Sequence, residues 1–121
     1  MTQRDEVARW MAGYRTAWES NEPDEIRALF TPDAEYRYEP FGEPVVGVEA
    51  IVASWLESAD KPGETEFSWE LAGIDGDTAF IDGRTDYPED RRYANLWVIV
   101  FAPDGRARSF TEWYMRIPAT E

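Results

Sequence analysis

Carboxylates set among aromatic side chains are the groups of this sequence best placed to do chemistry, and the run SFTEWYM, residues 109–115, holds the clearest case. Glu112 stands between Phe110, Trp113 and Tyr114. Strand side chains alternate between faces, which leaves three readings of this Glu. It is a solvated edge charge, or half of a structural ion pair with Arg84, Arg108 or Arg116, or an acid aimed into a mostly apolar pocket. In the last case desolvation disfavours the charged carboxylate and raises its pKa, as suits a general acid or base.

A second group lies in TAFIDGRTDY, residues 78–87, where Asp82, Arg84 and Asp86 are spaced by two and share a strand face. They form either an exposed polar ladder, with Ile81, Gly83 and Thr85 inside, or an Arg holding a carboxylate by charge-assisted hydrogen bonds. Tyr36 and Tyr38 repeat the spacing with phenol hydroxyls, which could equally sit at the rim of an amphipathic strand.

Absences narrow the chemistry further. With no His and no Cys, the chain lacks the commonest general base and metal ligand, and thiolates and disulfides are excluded. Catalysis would run on carboxylates, Tyr, Arg, Asn and water, and neither a metal nor a cofactor is expected. A net charge of −13 argues against nucleic acid and anionic membrane surfaces as partners. The start MTQRDEVARW lacks the pattern of a signal peptide, and no apolar run approaches the ~20 residues that span a bilayer. A cytoplasmic protein is expected.

The elements that must position these groups follow from periodicity. Val7, Trp10, Met11, Tyr14 and Trp18 make one stripe of a helix over 5–20, with Thr2 and Asp5 as a capping box and Asn21 and Pro23 as its end. Pro23 opens a short second helix with Ile26, Leu29 and Phe30 inward, closed at Thr31-Pro32. A strand over 34–40 and a loop over 41–47 lead to a third helix, 47–58, with Val48, Ile51, Val52, Trp55 and Leu56 on one face. Lys61-Pro62-Gly63 stops it.

Beyond residue 66 the pattern is all strand, in two hairpins turning at Asp75-Gly76-Asp77 and Pro103-Asp104-Gly105, with a polar loop PEDRR at 88–92 between them. The predicted fold class is α+β: one domain over 1–121, its curved antiparallel sheet wrapped around three N-terminal helices as a cone whose open end is a pocket. A two-residue loop at Asp104-Gly105 would pair Pro103 with Arg106. Trp97 then faces Glu112, Asn95 faces Tyr114 and Ile99 faces Phe110. Tyr14, Trp18, Tyr38, Trp55, Asn95, Trp97 and Tyr114 are the candidate pocket lining, although Tyr14, Trp18 and Trp55 also lie on stripes that any core helix needs. The run ANLWVIVFA is apolar on both faces, and one helical layer covers only one, so a homodimer through the sheet is expected.

The order helix, short helix, LFTPDAEYRYEPFGEPVVGVEAI, hairpin, FAPDGRARSFTEWYM resembles the SnoaL-like branch of the nuclear transport factor two-like superfamily. The resemblance rests on Phe30-x-Pro32-Asp33-Ala34, on Gly47-x-Glu49-Ala50-Ile51, and on Asp104-Gly105 followed by Thr111-Glu112-Trp113-Tyr114. It implies a cystatin-like cone hosting cyclases, isomerases, hydrolases, dehydratases or non-catalytic binders. Within that superfamily the chain is similar to the limonene epoxide hydrolases, in which an acid with Tyr and Asn activates water and an Arg-linked Asp protonates the epoxide. By that likeness Glu112, Asp86, Arg84 and Tyr36 would be catalytic, with Glu112 in place of an Asp and Tyr38 in place of the Asn. The SnoaL-type cyclases give another template, one acid doing aldol chemistry. The expected function is therefore cofactor-free acid/base chemistry (hydrolysis, isomerisation or cyclisation) on a small apolar or aromatic molecule. The alternative is a non-catalytic ligand-binding or dimeric accessory module.

Overall fold

A computed structural model of the chain describes residues 2–57, 66–86 and 92–117. The helix stop at 61–63 and most of the 88–92 loop lie outside the described residues. Helix α1 runs Arg4–Ser20 and buries Val7, Trp10, Met11, Tyr14 and Ala17, the stripe that a 3.6-residue period dictates. The expected capping box does not form: Gln3 is the N-cap and makes no side-chain cap bond. Thr2 instead turns to the sheet, its N–H donating to the Gly76 carbonyl at 3.2 Å and its hydroxyl to Asp77 Oδ1 at 3.4 Å. Asn21 ends α1 in the left-handed region (φ 54°), which Asn tolerates, and its N–H closes on the Ala17 carbonyl.

Helix α2 (Pro23–Arg27) opens on its proline as expected and buries Ile26. Strand β1 spans Phe30–Arg37, four residues earlier than the sequence pattern suggests. The Ala107 N–H donates to the Leu29 carbonyl at 2.8 Å, which brings the chain onto the sheet before Phe30. Pro32, which has no N–H to give, falls where the register shifts between Phe30 and Glu35. The expected 41–47 loop contains a two-residue strand, β2 (Val45–Val46), paired with β1. Gly47 (φ +93°) then turns the chain into α3, Val48–Glu57, which buries Ile51 and Val52. None of the described helices is long and apolar enough to cross a membrane.

Strands β3 (Glu66–Asp75), β4 (Thr78–Asp86), β5 (Arg92–Phe101) and β6 (Ala107–Arg116) complete a curved, unclosed sheet of order β2-β1-β6-β5-β4-β3. The architecture is α+β, as expected. One pair departs from the antiparallel pattern: β1 lies parallel to β6, with β2, β3, β4 and β5 between them in sequence. The β5–β6 register pairs Trp97 with Glu112, Asn95 with Tyr114 and Ile99 with Phe110. The route to that register differs from a two-residue loop. Ala102 accepts from the Gly105 N–H and donates to the Arg106 carbonyl, so the loop is Pro103-Asp104-Gly105 with Gly105 at φ +88°. A shift between Phe101↔Ala107 and Val100↔Ser109 then adds a residue to β6, and the two offsets cancel.

The core lies between the helices and the inner sheet face. Trp10 anchors it, stacking on Tyr14, meeting Phe30 and Phe101 edge-on, and donating its indole N–H to the Leu29 carbonyl at 2.8 Å. On β4 the inward residues are Ala79, Ile81, Gly83 and Thr85. Trp97, 1% exposed, lies directly over Gly83, where a Cβ would come within 2.8 Å of its ring carbons. Only glycine admits the indole there. Gly83→Ala is therefore expected to destabilise the protein by about 1–3 kcal/mol through overpacking, read as a lower urea midpoint with an unchanged slope. An unchanged midpoint would contradict this packing.

Candidate functional site

Three strands place one chain of polar side chains on the inner face. Register sets Gly83 opposite Asn95 and Trp97 opposite Glu112, so Thr85, Asn95 and Glu112 are diagonal neighbours. The Thr85 hydroxyl donates to Asn95 Oδ1 at 2.7 Å, and Asn95 Nδ2 donates to Glu112 Oε2 at 2.5 Å. Trp97 Nε1 donates to the same Oε2 at 3.2 Å. Thr85 and Asn95 are both buried. The carboxylate accepts and the hydroxyl can donate, so Thr85 fixes the amide with its NH2 toward Glu112. Both donors engage Oε2, which leaves the lone pairs of Oε1 untouched by them.

Burial pushes the Glu112 carboxyl above the ordinary Glu range, and the hydrogen bonds from Trp97 and Asn95 pull it partly back. Among the described residues neither Arg84 nor Arg108 pairs with it, and the partners found are the neutral Asn95 and Trp97; the Arg116 side chain lies outside the described residues. Behind this floor Tyr36 stacks on Phe110 with ring centres 4.6 Å apart and planes 7° from parallel. Burial raises its hydroxyl well above the usual phenol range, and neighbouring Tyr14 and Glu112 act the same way. It therefore stays protonated, a donor rather than a base.

In front of the floor a cleft of about 530 Å³ opens between β5, β6 and the chain after β1. Glu112 and Asn95 line it, together with Tyr38, Tyr93, Tyr114, Glu39 and Glu43. Of the residues singled out by sequence, Glu112, Asn95, Tyr38 and Tyr114 meet at this cleft, and Trp97 supports the acid from within the core. Tyr14 and Tyr36 lie behind it. Trp18 and Trp55 instead pack edge-on against Tyr14 in the helical layer, and the Trp55 indole N–H bonds Asn21 Oδ1 at 3.3 Å.

The Arg84–Asp86 pair lies elsewhere. Asp82, Arg84 and Asp86 all point to the outer face of β4, where Arg84 pairs with Asp82, not Asp86. Strand alternation is the reason: Gly83 and Thr85 must face inward for Trp97 and Asn95 to pack, which turns Arg84 and Asp86 away from Glu112. Thr85 is the β4 residue that acts on the acid, through Asn95. Its inward parity was legible, but its diagonal contact needed the β4–β5 register. Tyr93 shares the parity of Asn95 and Trp97. No sequence signal marked Glu39 or Glu43. Among the described residues no group of three or more acidic side chains is placed to hold a metal ion.

The sequence matches the SnoaL-like domain family over residues 7–117. The chain belongs to that family. Solved structures show the same fold around this SnoaL-like domain. An NTF-2-like protein of unknown function from Burkholderia xenovorans LB400 aligns with TM-score 0.76 and 15% identity, over 97% of this chain and 88% of its own. A candidate ketosteroid isomerase from Kribbella flavida DSM 17836 aligns at 0.73 and 17%, over 97% and 83%. SalBIII, an epoxide hydrolase/cyclase-like enzyme of pyran ring formation in the polyether salinomycin, aligns at 0.75 and 18%, over 95% of each chain. No curated protein matches this chain by sequence.

The raised Glu112 pKa has a signature in stability. The folded protein holds this proton to higher pH than the unfolded chain, whose Glu titrates near ~4.3, so the site loses stability as pH rises from there through the folded pKa. Glu112→Gln keeps both hydrogen bonds and removes the titration. Thermal melts are expected to show the variant as stable as the parent or more so at pH 7, with the difference shrinking toward pH 4. A Gln variant several degrees less stable at pH 7 would contradict this account of the site.

Proposed function

We propose that this SnoaL-like domain binds a small molecule in the Glu112 cleft and transfers a proton to or from it through Glu112, without a cofactor. One observation carries the reading: a half-buried carboxylate at a cleft floor, held by Asn95 and Trp97 and lifted in pKa by burial. A surface charge kept for solubility needs no such support. Hydrolysis, isomerisation and cyclisation each require a group that takes a proton from one atom and returns it to another. Burial favours the protonated acid, while the two N–H donors stabilise the carboxylate, so either form is accessible at small cost. The similar structures include one named for isomerisation and one for ring formation, and both reactions suit a proton-transferring carboxylate. Tyr38, Asn95 and Tyr114 would contact the ligand, and Tyr36 and Tyr14 would hold the wall behind it. Arg84 and Asp86 take no part in this reading.

A panel of neutral aromatic ketones and epoxides tests it, with turnover compared between the parent and Glu112→Gln. The variant is expected to lose at least about a hundredfold in kcat, the usual contribution of a general acid or base, while still melting cooperatively. Full activity in Glu112→Gln would remove Glu112 from the mechanism. Binding without turnover by the parent would favour the non-catalytic alternative.

A homodimer through the sheet is a separate reading with its own support. The outer face exposes Leu96, Trp113 (46%) and Met115 (72%), and Phe41 (96% exposed) packs edge-on against Trp113. A contiguous apolar patch of this kind marks an interaction surface. Sedimentation equilibrium is expected to give twice the 14.0 kDa chain mass, and Trp113→Glu to return it to 14.0 kDa. A parent protein of 14.0 kDa at micromolar concentration would count against the dimer.

A further inference from the structure

The walls of the Glu112 cleft carry one sign of charge. Tyr38, Tyr93 and Tyr114 supply aromatic faces, Glu39, Glu43 and Glu112 supply carboxylates, and no Lys or Arg lines the cleft among the described residues. Other clefts differ. The groove between α1, α2 and the β5–β6 turn mixes Arg9 and Arg106 with its acids, and the outer-face hollow beside Trp113 includes Arg84. An acidic composition alone would scatter arginines into this cleft as it does into those.

Three tyrosine rings line the cleft. Tyr93 and Tyr114 meet with ring centres 5.9 Å apart and planes at 77°, giving two walls near a right angle. Tyr38 is held in place, its hydroxyl hydrogen-bonded to Ser54 Oγ at 2.7 Å and its ring 4.8 Å from that of Tyr36. Tyr38 and Tyr114 are both substantially exposed, so their faces are open to a ligand. Ring faces are electron-rich and attract cations, most strongly where water is displaced. The carboxylates at the rim and floor add to that attraction, and they repel an anion. Among the described residues the partners of Glu112 are the neutral Asn95 and Trp97, so a cation in the cleft would supply a counter-charge that they do not.

We propose that the Glu112 cleft takes an organic cation, a quaternary or protonated amine carried on a small apolar body. The proposal rests on the cleft being the ligand site, and it adds the charge of the ligand. It also adds a mechanistic link: a cation beside Glu112 favours the carboxylate, so ligand binding would itself release the proton and ready the base.

Calorimetric titration at low salt tests this with three matched probes: choline, its uncharged isostere 3,3-dimethylbutan-1-ol, and the anion 3,3-dimethylbutanoate. Choline is expected to bind about tenfold more tightly than the alcohol, the order of a cation–π contribution in a partly desolvated site, and the anion least of all. Tyr114→Leu keeps the net charge and removes one wall, so it is expected to weaken choline about tenfold and leave the alcohol nearly unchanged. Glu43→Gln is a second variant at the exposed rim, expected to weaken choline alone. Equal affinity for choline and the alcohol would overturn the cation proposal and leave the cleft reading standing. Choline binding that survives Tyr114→Leu undiminished would also overturn it, because bulk acidity would then account for the attraction. If none of the three binds, the cation proposal fails, and the neutral ketone and epoxide panel decides the cleft reading by itself.

Discussion

Trp97 lying on Gly83 is the contact on which the rest of this structure depends. The indole fills the inner sheet face where β4 has no side chain, and its ring meets those of Tyr14 and Phe110 at a tilt, from the helical side and from β6. Its one polar atom, Nε1, is thereby aimed at Glu112. A core tryptophan needs a partner for its N–H, and here the partner is the acid of the cleft. Packing and chemistry meet in one side chain: what stabilises the core also orients the carboxylate.

The polar chain from Thr85 through Asn95 to Glu112 runs across three strands, and each link depends on the sheet's register. A one-residue slip of β6 would send Glu112 to the outer face and bring Trp113 inward. The compensating loop and bulge of the β5–β6 hairpin therefore bear directly on the site, although they lie at the far end of the strands. The same alternation decides the outer face. Putting Trp97, Ile99 and Phe110 inward forces Leu96, Trp113 and Met115 outward, where the helices do not reach.

Much of this was legible in the sequence because period-two and period-3.6 patterns are local. The three helices, the two hairpins and the Trp97–Glu112 pairing followed from them. The pairing was reached through an assumed two-residue loop, and it survives because the three-residue loop and the added β6 residue offset each other. Long-range events left no local trace. Thr2 reaching the β3–β4 turn, Leu29 receiving β6, and β1 lying parallel to β6 all depend on chain segments far apart in sequence. The facing of Arg84 and Asp86 is a different lesson. Their spacing fixed that they share a face, and Gly83 marked the other face as the crowded one, because only a residue without Cβ could lie under an indole. That glycine was the signal that the pair points outward.

The central claim is that Glu112 is an acid whose proton is held by burial against neutral donors. Carbon-13 NMR of the labelled side-chain carboxyl, followed through a pH titration, measures this directly. The account predicts a Glu112 resonance titrating above the ordinary Glu value of about 4.3, because burial outweighs the two hydrogen bonds that favour the carboxylate. A Glu112 resonance titrating at or below that ordinary value would contradict it.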